Sequence, residues 1–354
     1  MLNIKVAWLT LNRMCNLRCD WCYASKTNFN PNTNMKFEDA IKAIDICSDL
    51  KVDHITLIGG EPTLYSRLVE VIQYCKQKGL KVTLVTNAVR LADKDYLDSL
   101  IQAGVDVFGI SIKGENSEEY IKVAKVDRFN EVMTALDNLI ERDCRFSTSM
   151  VLTCQNLPNI AKGLKEIFKK KIRMISLAFC YEFNYSAYAN EEFKKNNHPC
   201  ELINLFMKHY DEIDQATQGR FRLGQSFPAC MWDQDFLEHI YSKGQMSAVC
   251  CLVRGSGLVF DTDLSLLPCN PMTELKIGKY GVDFTDKDSL VEYLHSDKLK
   301  KIYSRLRGIP SIKCKGCKLF PRCGGGCVAQ YTNYTFDELM ALKEEYKEML
   351  TWKK

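Results

Sequence analysis

Over the first 180 residues, six apolar stretches alternate with amphipathic ones, and this alternation constrains the fold more than any other feature. Residues 3–10 are mostly apolar and read as a buried strand. Residues 36–50, with Asn34 as the expected cap, place Phe37, Ala40, Ile41, Ile44 and Cys47 on one helical face. Further strands are expected at Val52–Ile58, Leu80–Thr86, Val105–Ser111, Arg145–Thr153 and Ile172–Cys180. Helices fall between them: one from Leu64 to the stop residue Gly79, one from the cap Asp93 to Gly104, one over Asn130–Arg142 and one after Pro158. Strands alternating with helices imply parallel βα units and an α/β fold. An open doubly wound sheet and a barrel-like one both satisfy the pattern, and both put their chemistry at the C-terminal ends of the strands.

Two of those strand ends carry unusual residues. The first strand runs into Cys15-Asn-Leu-Arg-Cys19-Asp-Trp-Cys22, three cysteines that a tight loop can bring to one side. Such thiolates can occupy three corners of a cubane iron-sulfur cluster and leave the fourth iron open to a ligand; taken alone they also fit three of four zinc ligands. The second strand stops at Gly59-Gly60-Glu61-Pro62, where missing side chains let a ligand approach free carbonyls and amides that can hold a charged amine.

Beyond Cys180 the alternation breaks. The expected division is a core over residues 1–180, a bridge over 181–249, a cysteine-rich unit over 250–330 and a docking helix over 331–354. The bridge is aromatic-rich, with Phe179, Tyr181, Phe183, Tyr185 and Tyr188 at its start, either lining a substrate channel or packing between units. It includes a helical stretch, Cys200–Ala216. Gly257–Phe260 and Leu264–Leu267, joined by an acidic turn, read as a hairpin that delivers Cys269. A helical segment over Asp286–Arg307 precedes Cys314-x2-Cys317-x5-Cys323-x3-Cys327. Phe336, Leu339, Leu342, Tyr346 and Leu350 mark the last helix.

Seventeen cysteines in a large chain with no secretory leader read as metal ligands in a reducing compartment, so a cytoplasmic protein is expected. No apolar run is long enough to span a membrane. With 48 basic and 44 acidic residues spread along the chain, no nucleic-acid partner is expected. The basic run Lys162–Arg173 alternates with Leu164, Ile167 and Phe168, as a solvated helix face does. Cys47 and Cys75 read as small core residues.

Cys15-x3-Cys19-x-Trp21-Cys22 with Gly59-Gly60-Glu61-Pro62 resembles the radical S-adenosylmethionine (SAM) enzymes over residues 1 to about 180. The resemblance implies a partial (β/α)6 TIM-like barrel. It further implies a four-iron cluster on Cys15, Cys19 and Cys22 that binds SAM, with Gly59, Gly60, Glu61 and Pro62 at the methionyl amine. Asn87, Ser111 and Lys113 end the third and fourth strands and would face the cofactor; a lysine there can pair with the SAM carboxylate, where relatives often have aspartate. The C-terminal block is similar to the SPASM extension, which carries one or two auxiliary iron-sulfur clusters, with a zinc ribbon as the plainer reading. Cys250 or Cys251, Cys269 and Cys327 would share one cluster, and Cys314, Cys317 and Cys323 a second. The shorter twitch form would instead group Cys251, Cys269, Cys314 and Cys317.

Three departures from that pattern stand out. Leu264 replaces the usual glycine five residues before the hairpin cysteine, no cysteine follows Cys327, and Asn270 stands where sulfatase-maturing relatives place an aspartate base. Cys180 at the sixth strand end is a candidate catalytic residue that meets substrate or donates a hydrogen atom, or else packs, and Cys230 is a candidate extra ligand.

The expected activity is an oxidation begun by hydrogen abstraction from a peptide substrate, as in thioether or carbon-carbon crosslinking of ribosomal peptides. A small molecule such as a sugar alcohol or amino acid is the alternative, and a non-catalytic iron-sulfur or zinc protein is the reading from another class. Expected partners are a low-potential donor (flavodoxin or ferredoxin) and, since the first strand begins by residue 3, either a separate leader-binding protein or recognition of the peptide by the bridge and the last helix.

Overall fold

The computed structural model describes residues 4–27, 29–180, 196–224, 226–247, 252, 255–332 and 335–352. Its centre is a run of parallel strands: β1 (Val6–Thr10), β2 (His54–Ile58), β3 (Lys81–Thr86), β4 (Val107–Ile112), β5 (Phe146–Leu152) and β6 (Ile175–Phe179). Successive strands are neighbours, and among the described residues the sheet does not close on itself. This is the α/β partial barrel that the resemblance implies.

The intervening helices are α1 (Phe37–Asp49), α2 (Leu68–Gln77), α3 (Lys94–Ala103), α4 (Ser117–Ala124), α5 (Phe129–Glu141) and α6 (Ile160–Phe168). Their apolar faces are buried: Ala40, Ala43, Ile44 and Cys47 from α1 and Leu68, Val71, Ile72 and Cys75 from α2 join one core. Each large aliphatic side chain so buried contributes about 1.5–3 kcal/mol. Cys47 and Cys75 are fully buried there. Asp93 caps α3 by accepting from the amides of Asp95 and Tyr96, and Gly104 ends it at φ 106°. Asn34 does not cap α1, whose first turn starts at Lys36 with no side-chain cap; the Asn34 amide donates to Pro31 O instead.

The sheet is wider than the alternation predicts. On one side β7 (Phe221–Gly224) and β8 (Met246–Ser247) continue it in parallel after β6, and both are too short to leave a periodic trace. On the other, β9 (Gly257–Phe260) pairs in parallel with β1, and β10 (Ser265–Leu267) and β11 (Gly278–Lys279) follow antiparallel. The expected hairpin thus exists, and it extends the same sheet. Leu264 takes φ 58° in its turn.

The single helices expected at Cys200–Ala216 and Asp286–Arg307 are each two, Pro199–Lys208 with Tyr210–Thr217 and Lys287–Leu294 with Asp297–Leu306. Ser296 breaks the second by capping the helix after it. Phe179 packs against Phe206, Phe227 and Trp232 with ring centroids 5.6–5.9 Å apart, so its ring serves the core. Tyr181, Phe183, Tyr185 and Tyr188 lie outside the described residues, as do Cys250 and Cys251. Among the described residues no helix is long and apolar enough to cross a membrane.

Candidate active site

Strand register assembles the site. Thr10 pairs with Ile58, Leu57 with Leu84 and Thr86 with Ile110, so β1 to β4 end at one level. The cysteine loop, the Gly59–Pro62 turn, Asn87 and Lys113 therefore emerge side by side.

The cysteine loop is folded on itself. Cys22 N donates to Cys19 O at 3.1 Å, Leu17 N to Cys15 Sγ at 3.4 Å, and the Arg18 guanidinium to Cys15 O at 2.7 Å. It is also fastened to the end of α4, where Arg18 N donates to Ala124 O and Asp20 N to Val123 O. Burial pushes the Cys15 and Cys19 thiols up to about 11 and raises Cys22 as well; each also feels a neighbouring cysteine of the loop, which raises it further, and the Lys113 ammonium, which lowers it. Desolvated sulfurs this close together hold their protons unless a cationic centre replaces them.

Among the described residues no group of His, Cys, Asp or Glu converges as the ligands of a single ion. A cubane asks for something else, one thiolate on each of three irons, spread by the width of the cluster. The donor set and the charge opposite it therefore fit an iron-sulfur cluster.

The glycine turn closes against this loop. A Cβ on Gly59 would fall 2.2 Å from Asn12 Oδ1, and one on Gly60 2.3 Å from Met14 O, so neither position has room for a side chain. The expectation of free amides needs correcting: Gly60 N donates to Asn12 O at 2.8 Å and Glu61 N to Met14 O at 2.7 Å. An amine at this turn would meet carbonyls. The Glu61 carboxylate is buried and accepts from Thr63 N, Thr63 Oγ1, Thr86 Oγ1 and Asn87 N at 2.6–3.1 Å. It locks the turn after β2 to the end of β3, while Pro62 starts the 3-10 turn that follows.

Asn87 reaches back to the cysteine loop, donating to Asn16 Oδ1 at 2.7 Å, with Cys15 Sγ 4.0 Å away. Lys113 Nζ donates to Ser111 Oγ at 2.6 Å, and the buried Tyr120 hydroxyl accepts from Lys113 N. Cys180 lies apart from this group. It is buried, and its thiol donates to Asn197 Oδ1, which also accepts from Cys154 N.

Three residues here left no motif in the sequence. Arg13 forms a buried ion pair with Asp261 in the β9–β10 turn. Tyr23, pushed up to about 12 by burial, feels Arg13, Cys22, Cys269 and Asp261, and it packs against Met272 and Ala329, which Cys269 and Cys327 also border. Tyr23 thus lies between the first cysteine loop and the Cys269–Cys327 pair.

The other late cysteines form a separate group. Cys314 sits in the turn Ile312–Gly316, Cys317 is exposed just after it, and Cys323 is buried at the end of the four-residue helix Phe320–Cys323.

Residues 9–165 match the family model described as the radical SAM superfamily. Among curated proteins, a probable GTP 3',8-cyclase of Saccharolobus islandicus is 26% identical over 211 residues, 59% of this chain. The match spans only 62% of that relative's length. Among solved structures, Streptococcus suis SuiB bound to the precursor peptide SuiA superposes with a TM-score of 0.69 at 18% identity, covering 96% of this chain and 75% of that one. The structure of anSMEcpe with bound AdoMet and the Cp18Cys peptide gives 0.68 at 18% identity, covering 97% and 96%.

Proposed function

We propose that the chain is a radical SAM oxidoreductase that abstracts hydrogen from a peptide, with Cys15, Cys19 and Cys22 holding the SAM-binding cluster; the family-model match over residues 9–165 supports the first part of this reading. When bound, cluster and SAM together supply reductive cleavage to methionine and a hydrogen-abstracting 5'-deoxyadenosyl radical. The chain's own residues bind and orient. Carbonyls of the Gly59–Gly60 turn would receive the methionyl amine, and Glu61 holds that turn through its four hydrogen bonds. Lys113 offers the SAM carboxylate a cation, Ser111 fixes its ammonium, and Asn87 supports the loop beside Cys15. A low-potential flavodoxin or ferredoxin would supply the electron.

The observation that carries the reading is the glycine turn closing on the strand end that leads into the three-cysteine loop, through Gly60 N to Asn12 O and Glu61 N to Met14 O. For the substrate, the support is extent. The likeness to SuiB and anSMEcpe, both solved with peptides, covers 96–97% of this chain and includes its cysteine-rich part. A small-molecule substrate is the second reading, favoured by the name of the cyclase relatives.

Anaerobic, dithionite-reduced protein should convert SAM to 5'-deoxyadenosine, and Cys15→Ala, Cys19→Ala and Cys22→Ala should each abolish it. Product from any of these variants would refute the assignment. A peptide substrate should raise the rate of that product and itself lose two hydrogens by mass; stimulation by nucleotides and by no peptide would favour the second reading.

A further inference from the structure

The second cysteine group is one thiolate short. Cys314, Cys317 and Cys323 supply three, and residues 328–354 contain no cysteine. Cys327 packs against Met272 and Ala329, the small cluster that Cys269 and Tyr23 also border.

The chain brings another cysteine to this place from far upstream. The stretch Ser226–Met231 is fastened along Cys323–Cys327 at three points. Cys327 N donates to Ser226 O at 2.9 Å. Gly326, at φ 82°, lies so near that a Cβ there would meet Phe227 C and Pro228 N at 2.9 Å. Ala229 N donates to Cys323 Sγ at 3.2 Å. An amide directed at a sulfur is the support that cluster thiolates receive, since it spreads their negative charge. The next residue is Cys230, exposed at the surface, its carbonyl held by Lys343.

We propose that Cys230 is the fourth thiolate of an auxiliary iron-sulfur cluster whose other ligands are Cys314, Cys317 and Cys323. The electrostatics agree: the Cys230 thiol feels Cys323 and Cys314, and Cys314 feels Cys323 and Cys317. Tyr331 lies near the group, feeling Cys323, Cys314 and Cys230 and also Cys327, while its hydroxyl donates to Gly325 O at 2.6 Å. Binding needs no redox step. Each thiol releases its proton as its sulfur takes an iron, and a cluster closed by four thiolates offers no open iron to a substrate, which suits electron transfer.

The assignment rests on reading the late cysteines as auxiliary ligands, and the test separates the two. Anaerobically reconstituted protein and metal-free protein are alkylated with iodoacetamide, and each cysteine is quantified by mass spectrometry. Cys230 should be modified at least tenfold more slowly in the reconstituted protein, together with Cys314, Cys317 and Cys323. If those three are protected while Cys230 reacts equally in both forms, the fourth-ligand role is refuted. If none of the four is protected, the cluster itself falls, and the proposal with it. In protein whose Cys15, Cys19 and Cys22 are alanine, adding Cys230→Ala should lower bound iron by roughly one to four atoms per chain, whereas Cys230→Ser, which keeps a ligand atom, should hold its iron. Unchanged iron and an unchanged electron paramagnetic resonance spectrum in Cys230→Ala would also overturn it.

Discussion

Arg13 donates to the carboxylate of Asp261 across 248 residues of sequence, with both side chains buried. The pair ties the loop that carries Cys15 to the turn between β9 and β10, so the first cluster loop and the cysteine-bearing hairpin are held in one register. Removing one partner leaves a charge buried without compensation, which costs about 3–5 kcal/mol. Asp261→Ala should therefore lower unfolding free energy by about that amount in urea titrations; a loss below about 1 kcal/mol would show that the pair contributes little.

Lys113 faces three desolvated thiols, and its ammonium is steadied by Ser111. Lys113→Met keeps the stem and removes the charge. SAM affinity should fall roughly tenfold or more, the worth of one charge-assisted hydrogen bond, while iron content stays the same. Equal affinity by equilibrium dialysis would remove Lys113 from the SAM site.

Leu264 occupies left-handed backbone at φ 58° with its side chain buried. A glycine would relieve about 1 kcal/mol of strain and forfeit about 1.5–3 kcal/mol of burial. Leu264→Gly should thus be destabilising by about 0.5–2 kcal/mol in thermal or urea unfolding. A stabilised variant would mean that the turn, and not the side chain, dominates this site.

Glu115, after β4, is packed so tightly on α6 that a Cβ at Gly163 would fall 1.6 Å from its own Cβ. Burial, with Glu119 beside it, pushes its carboxyl up to about 7. The folded protein then binds this proton more tightly than the unfolded chain. Its contribution to stability is complete below about pH 4.5 and is lost as pH rises through about 7. Glu115→Gln should flatten that part of the stability profile and gain on the order of 2 kcal/mol relative to wild type at pH 8. Parallel profiles for the two proteins would argue against a protonated Glu115.

Asn270 follows Cys269, and its side-chain oxygen is buried with no hydrogen-bond partner among the described residues. An amide cannot take a proton, so a mechanism using this position as base is disfavoured. Asn270→Asp should leave 5'-deoxyadenosine formation in place, measured by liquid chromatography under dithionite. Its loss would give the amide a role of its own.

What the sequence made legible was periodic or densely spaced. The six strands, the cap Asp93, the stop at Gly104 and the cysteine loop each signal through neighbours within a few residues, where local geometry decides the outcome. Arg13 and Asp261 carry no such signal, because each is an ordinary charged residue until the fold brings them together. Strands β7 and β8 were hidden by being short. The pairing of β9 with β1 joins residues about 250 apart, and no period records it. Gly59 and Gly60 were recognisable as a place of close approach, but their nearest partner is the chain's own Asn12–Met14 backbone, which composition alone does not reveal. Cys230 was visible as a cysteine and silent as a neighbour of Cys323.

The pairing of β9 with β1 also bears on how the protein is made. The strand that leads into the first cysteine loop emerges from the ribosome about 250 residues before β9 does. At ordinary elongation rates that is a delay of roughly ten to fifty seconds. Throughout it, one edge of β1 presents unpaired amides and carbonyls, next to cysteines able to capture metal or oxidise. The nascent chain is most vulnerable to misassembly at the place where the finished protein would do its chemistry.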